Sequence, residues 1–245
     1  HLTPGAPLFK RRPQSPQAPR AACKAALHIE NTTAPVEPHY FVPWSDIRVT
    51  RHNLPHWQQP GAAYFVTFRL GDSIPADLLA TWRAERDTWQ HAHPSPLSPA
   101  EEQEYHRLFS ARIDGWLDAG HGSCLLRDPA IRVQLAKALT FFEGSRYRLL
   151  AWVLMPNHVH ACFTLHPEWA LEKVLSSWKR HSARVINQAA RRAGPLWQRD
   201  YFDRLVRDEA HLGRVLRYIR NNPTKAKLRA EEYTLWESER AKAVE

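Results

Sequence analysis

Cysteine is scarce in this chain, and negative charge is thinly and unevenly spread. The three cysteines, Cys23, Cys124 and Cys162, are odd in number and widely spaced. That argues against a disulfide framework or a cysteine-built zinc site and fits reduced thiols. No run of 18 apolar residues occurs, so no membrane span is expected, and no short apolar stretch with a small-residue cleavage site follows the N-terminus. Carboxylates are absent before Glu30, while 8 of the 19 prolines fall within the first 45 residues. Such a composition buries little, so residues 1–45 are expected to form an extended or disordered basic leader, either a non-specific nucleic-acid arm or a dispensable extension. No internal repeat is visible.

What is present argues for a folded globule with a polyanionic partner. Hydrophobic residues make up 43% of the 245 and aromatics 11%, enough for one sizeable core plus an appendage. Net charge is +9, with a pI near 9.7. Between Leu171 and Arg229 there are 15 Lys and Arg against 5 Asp and Glu, a surplus of 10 that accounts for the whole net charge. Charge concentrated in this way attracts phosphates and supplies affinity that carries no sequence information.

Taken in order, the pattern alternates strands with helices. Ala63 to Leu70 reads as a strand closed by Gly71-Asp72, Pro75 to Gln90 as a helix, and Pro99 to Leu117 as a second, charged helix. Asp128-Pro129 caps a helix reaching Phe142. Two strands, Arg148 to Leu154 and Val159 to Leu165, flank the turn signal Pro156-Asn157. Trp169 to Arg192 is a long basic helix, and Leu196 to Leu205 a strand or extended segment. The sum is an α+β fold, an antiparallel sheet covered by helices.

Chemistry concentrates in two places. Side chains alternate along a strand, so His158 and His160 share a face about 6.6 Å apart along the chain, a spacing at which two imidazoles suit either one cation or simple hydrogen bonding. The second place is the helix from Asp208 to Asn222. Leu212, Val215, Leu216 and Ile219 stand at i, i+3, i+4 and i+7, which defines its buried stripe. Tyr218, Asn222 and His211 then fall on one flank of that stripe, and Arg214, Arg217 and Arg220 on the outward surface. Pro223 is expected to end the helix. Spacing alone suits Tyr218 equally to boundary packing and Asn222 to a helix terminus.

The run Met155-Pro156-Asn157-His158-Val159-His160, followed some 60 residues on by Tyr218-Ile219-Arg220-Asn221-Asn222-Pro223, resembles the HUH single-tyrosine transposases of the IS200/IS605 type, and within them the REP-associated tyrosine transposases. Asn53-Leu54-Pro55-His56-Trp57, Tyr64 to Leu70, Arg146 to Val153 and Trp197 to Arg204 are similar to further blocks of that family, so the likeness spans roughly Arg51 to Leu228. It implies a ferredoxin/RRM-like HUH endonuclease fold over residues 46–230, with 231–245 as a C-terminal helical tail. By the same likeness Tyr218 is the nucleophile, and His158, His160 and Asn222 hold a divalent cation, Mg²⁺ or Mn²⁺. Asn222 departs from the Gln that many insertion-sequence members carry.

The resemblance implies cleavage of hairpin DNA through a 5′-phosphotyrosine link, resealed by a second 3′-hydroxyl, in a bacterial, cytoplasmic and nucleoid-associated protein. It is compatible with a monomer or a homodimer. The alternative is a hairpin DNA- or RNA-binding regulator that keeps the fold without the chemistry. A zinc hydrolase lacks support, since no Asp-His follows His160 at chelating distance. Lys179, Arg180 and Arg184 on the basic helix, Arg199, Tyr201 and Arg204 on the extended segment, and His211 and Arg214 on the tyrosine helix are the expected DNA contacts. They mix phosphate-binding and base-stacking types. Trp82, Trp89 and Trp116 read as helix core.

Overall fold

β-branched and aromatic runs build the centre of the molecule, and turn residues separate them. The structure, a computed structural model, describes residues 39–42, 48–51, 55–94 and 97–244. A hairpin of β1 (Arg48–Arg51) and β2 (Pro55–Gln58) precedes a five-stranded sheet. The sheet holds β3 (Ala63–Arg69), β4 (Tyr147–Leu154), β5 (His158–Leu165), β6 (Phe202–Leu205) and β7 (Thr234–Glu237). Their spatial order is β6-β3-β5-β4-β7, and every pairing is antiparallel. Between β3 and β4 run α1 (Ala76–Ala92), α2 (Pro99–Tyr105), α3 (Ala111–Asp118) and α4 (Pro129–Thr140). α5 (Leu171–Ala189) joins β5 to β6, α6 (Glu209–Lys225) follows β6, and α7 (Glu239–Lys242) closes the chain. The strands β3, β4, β5 and β6 lie in the order fourth, first, third, second, with helices after the first and third. That is the ferredoxin-like βαββαβ arrangement, and the α+β class expected from the sequence is the one observed.

Alternation along β5 decides which helix meets which side chain. Phe163 and, from β3, Phe68 pack on Trp178 of α5, with ring centroids 5.0 and 6.5 Å apart, and the Trp178 indole donates to Tyr147 Oη at 2.8 Å. His158, His160 and Cys162 point to the other face. There Leu212, Val215, Leu216 and Ile219 of α6 form a core with Phe65, Val153, Met155 and Cys162. The stripe is the one their spacing predicts, and each fully buried Leu or Ile contributes about 1.5–3 kcal/mol. α6 starts on Asp208, whose carboxylate accepts from His211 N at 2.6 Å.

Several expectations need correction. α6 does not stop at Pro223 but runs to Lys225. A proline so near the C-terminal end removes a single i→i−4 bond, and the last carbonyls are taken up by Ala226 N and Leu228 N. Residues 231–245, expected as a helical tail, instead supply β7, which pairs with the β4 edge, and only the short α7. An exposed sheet edge offers unpaired backbone groups that a strand satisfies better than a lone helix turn. Arg220, expected on the outward surface, turns back to secure this segment, pairing with Glu237 at 2.8 Å and donating to Ala241 O at 3.1 Å. Buried Arg132 of α4 adds bonds to Glu231 O (2.6 Å) and Thr234 Oγ1 (2.8 Å). The charged helix of Pro99 to Leu117 is broken into α2 and α3 by a wider, π-type turn over His106–Ser110.

Most of the expected leader, residues 1–38 and 43–45, lies outside the described residues, as do Asn53 and Leu54. The stretch 39–42, expected within that leader, is docked on the domain: Phe41 N donates to Val206 O (2.9 Å) and Gln59 Nε2 to Val42 O (2.9 Å). Among the described residues no helix is long and apolar enough to cross a membrane.

Candidate active site

The histidine pair is oriented by its neighbours. β5 opposes β3 in a register that sets Thr67 across from His160, and Thr67 Oγ1 lies 2.7 Å from His160 Nδ1. Asn157 Nδ2 donates to Leu117 O (3.2 Å) and His121 O (3.3 Å). That leaves Asn157 Oδ1 facing His158 Nδ1 at 2.7 Å. An amide oxygen only accepts, so His158 carries its proton on Nδ1 and turns the Nε2 lone pair inward. Thr67 both donates and accepts, so His160 is free to present its own Nε2 lone pair. The two Nε2 atoms are 3.0 Å apart. Burial, with the Lys225 ammonium second, pushes His158 down to about 3, and burial with His158 and Lys225 holds His160 well below its ordinary value. Both rings are neutral, the form that binds metals.

α6 covers this pair with Tyr218 and Asn222. The Tyr218 ring stands edge-on to His160 with centroids 5.1 Å apart, and edge-on to Phe65 at 5.6 Å. Asn222 is 1% exposed, and neither Oδ1 nor Nδ2 has a hydrogen-bond partner at good geometry among the described residues. It nevertheless sits close enough to act on both His158 and Tyr218. A buried amide left this way costs about 1–3 kcal/mol, which a cation at Oδ1 would offset. The separation of the two Nε2 atoms suits the same reading. Two ligands about 2.1 Å from an octahedral ion, at a right angle, stand about 3.0 Å apart. Among the described residues no three His, Cys, Asp or Glu side chains converge on a metal position, so the donor set that fits is two imidazoles and one amide. Asn222→Leu is therefore expected to raise the melting temperature in chelator by relieving the unpartnered amide, while weakening Mn²⁺ affinity at least tenfold. Melting curves with EDTA and Mn²⁺ titrations check both halves.

Tyr218 is hard to ionise where it sits. Burial raises the phenol above its ordinary value, and the Asp114 carboxylate adds to the rise, with Asn222 acting the other way. Asp114 belongs to α3, one turn before Asp118, which pairs with Lys225 of α6 at 2.9 Å. None of Asp114, Asp118, Lys225 or Thr67 stands out in the sequence. Only strand register and helix packing bring them here.

Beside Tyr218 opens a cavity of about 570 Å³ between α1–α3 and the β3, β6 and α6 face, within the usual range for a ligand site. Tyr201, Arg204, His211 and Arg214 line it, and so does Trp82, which was expected to be core alone. His211 is buried. Its Nδ1 accepts from Arg207 N (3.2 Å), and burial and then Arg204 and Arg214 lower it to about 4.

The basic helix behaves differently. Trp178 places α5 on the far face of the sheet, so exposed Arg180 and Arg184 do not join the histidines. Lys179 donates to Gln198 O (2.7 Å) and Arg199 O (2.6 Å), which makes it a tether of the extended segment. Burial lowers its pKa to about 8. Arg199 is exposed and lines a smaller groove at the α5 edge.

A ferredoxin-like sheet with paired imidazoles on its central strand, roofed by a helix-borne phenol and amide, defines the class of protein in hand. Residues 129–222 match the family model described as transposase IS200 like. This matched segment runs from α4 through His158 and His160 to Tyr218 and Asn222. Among solved structures the chain is similar to a REP-associated tyrosine transposase bound to a REP hairpin, at 13% identity over 79% of this chain and 74% of that one, with a TM-score of 0.33. It is also similar to a candidate transposase from Deinococcus radiodurans R1, at 16% identity over 65% of this chain and 89% of that one, with a TM-score of 0.30. No curated protein matches the chain.

Proposed function

We propose that the protein is a REP-associated tyrosine transposase: a divalent-cation-dependent DNA endonuclease and strand transferase acting on single-stranded hairpin DNA. The observation that carries this reading is the Tyr218 ring 5.1 Å from His160 within one chain, with the unpartnered Asn222 amide beside both. Tyr218 Oη attacks the scissile phosphorus and the bond to the upstream 3′-oxygen breaks. The products are a 5′-phosphotyrosine and a 3′-hydroxyl that takes up one proton. Attack by a second 3′-hydroxyl reverses the step and returns the phenol, so no nucleotide cofactor is consumed. His158, His160 and Asn222 would hold Mg²⁺ or Mn²⁺, which when bound supplies charge stabilisation at the scissile phosphate and the departing oxygen. Tyr201, Arg204, His211 and Arg214 line the space where strand next to the cut would lie, and the exposed Arg180, Arg184 and Arg199 supply longer-range attraction. Lys179 serves here by holding Arg199 and its neighbours in place.

The cis placement of the phenol lets one chain assemble the site, whether the protein acts as a monomer or a homodimer, and the proposed place of action is the bacterial nucleoid. The test uses labelled single-stranded hairpin fragments from the DNA beside the gene. With Mn²⁺ the protein should form a denaturant-stable protein–DNA adduct at Tyr218, identified by mass spectrometry, and EDTA should abolish it. Hairpin binding without any adduct would instead favour the regulator.

A further inference from the structure

A partly buried phenol that serves as the nucleophile needs a group to receive its proton, and neither the histidines nor Asn222 is shaped for that. His158 and His160 direct their Nε2 atoms at each other, and their Nδ1 atoms are engaged by Asn157 and Thr67. Asn222 carries no basic lone pair of use at neutral pH. The other group at the hydroxyl comes from elsewhere in the chain. Asp114 and Asp118 are i and i+4 on α3, while Tyr218, Asn222 and Lys225 are i, i+4 and i+7 on α6, so each set forms one stripe. The Lys225–Asp118 pair at 2.9 Å fixes the two stripes against each other. Asp114 and Tyr218 then line the same cavity, and the carboxylate interacts with the phenol hydroxyl.

Resting on the phosphotyrosine reading above, we propose that Asp114, carried by a helix outside the family-matched segment 129–222, is the general base that takes the Tyr218 proton. The Oη–H bond breaks as the Oη–P bond forms, the proton passes to a carboxylate oxygen, and the P–O3′ bond breaks. In the reverse step protonated Asp114 returns the proton to the departing phenolate. The carboxylate is neutralised as the Oη–P bond forms, so carboxylate and phenolate are never charged side by side. Burial raises the Asp114 carboxyl above its ordinary value, against the pull of Lys225 and Arg204, and a stronger base is better matched to a phenol. The helices α1–α3 thereby become part of the catalytic centre as well as a wall of the cavity.

The experiment measures single-turnover adduct formation by the full chain on the hairpin oligonucleotides already described, with Mn²⁺ and saturating protein. Asp114→Asn should slow adduct formation by about 10²–10⁴-fold with hairpin binding unchanged, and Asp114→Glu should recover at least part of the loss. Replacing Tyr218 with 3,5-difluorotyrosine, whose phenol ionises more readily, should shrink the Asp114→Asn defect, a result that a merely structural aspartate would not produce. A loss of threefold or less in Asp114→Asn overturns the assignment, as does a defect that is unchanged with the fluorinated nucleophile. If the wild-type chain forms no adduct at all, the functional reading has failed and takes this inference with it. Adduct formation by the wild type with a fully active Asp114→Asn sinks this inference alone.

Discussion

Tyr218→Phe should eliminate covalent capture of hairpin DNA, by on the order of 10⁴-fold or more, while hairpin affinity stays within about threefold of wild type. The substitution removes one oxygen and little else. The ring keeps its edge-on contacts with His160 and Phe65, so the roof over the histidine pair is retained and the fold should melt near the wild-type temperature. The hydroxyl is the oxygen nucleophile that α6 carries beside the imidazoles. In water, a phenol of ordinary pKa near 10 costs about 4 kcal/mol to ionise at pH 7, and burial here raises that cost. Denaturing gels of adduct formation, run beside equilibrium binding on the same oligonucleotide, separate the two halves. A phenylalanine variant that still forms adduct would mean the nucleophile lies elsewhere.

The second large effect belongs to the histidine pair. His158→Ala and His160→Ala should each reduce cleavage by about 10²–10³-fold, and the double variant by more than either alone, with Mn²⁺ binding lost in parallel. Excess Mn²⁺ should partly recover the single variants, because one imidazole and the Asn222 amide remain, and should not recover the double variant. Stability is a competing explanation. His160 is stacked on Phe65 with centroids 5.6 Å apart, and both rings are essentially buried, so truncation leaves a cavity costing about 1–3 kcal/mol. Glutamine at either position keeps most of the volume and discriminates the causes. A loss of Mn²⁺ affinity with an unchanged melting temperature identifies ligation. Full Mn²⁺ affinity in the double variant would remove these rings from the metal site. Calorimetric titration of Mn²⁺ without DNA provides the readout.

α6 was legible because an apolar stripe at 3.6 periodicity can be read along one short stretch, and Tyr218 and Asn222 follow from it by angle. Pro223 was misread for the same local reason, since a proline interrupts only its own hydrogen bond and the end of the helix is decided by what accepts the remaining carbonyls. Residues 231–237 carry too little pattern to announce a strand. β7 exists because the β4 edge is there to pair with it and Arg132 and Arg220 hold it in place. The basic helix is legible as a helix, but which face of the sheet it covers is not: Trp178 commits α5 to the side opposite the histidines.

By itself the amino-acid order determined that His158 and His160 share a side of their strand and that Tyr218 and Asn222 share a flank of their helix. Periods of 2 and 3.6 are properties of the backbone and need no partner. The tertiary structure alone decided that this flank lies over those rings, that Thr67 meets His160 across the sheet, and that Asp114 reaches the phenol from a separate helix. Those meetings depend on layer order and strand register, which are fixed by burial summed over contacts far apart in the chain.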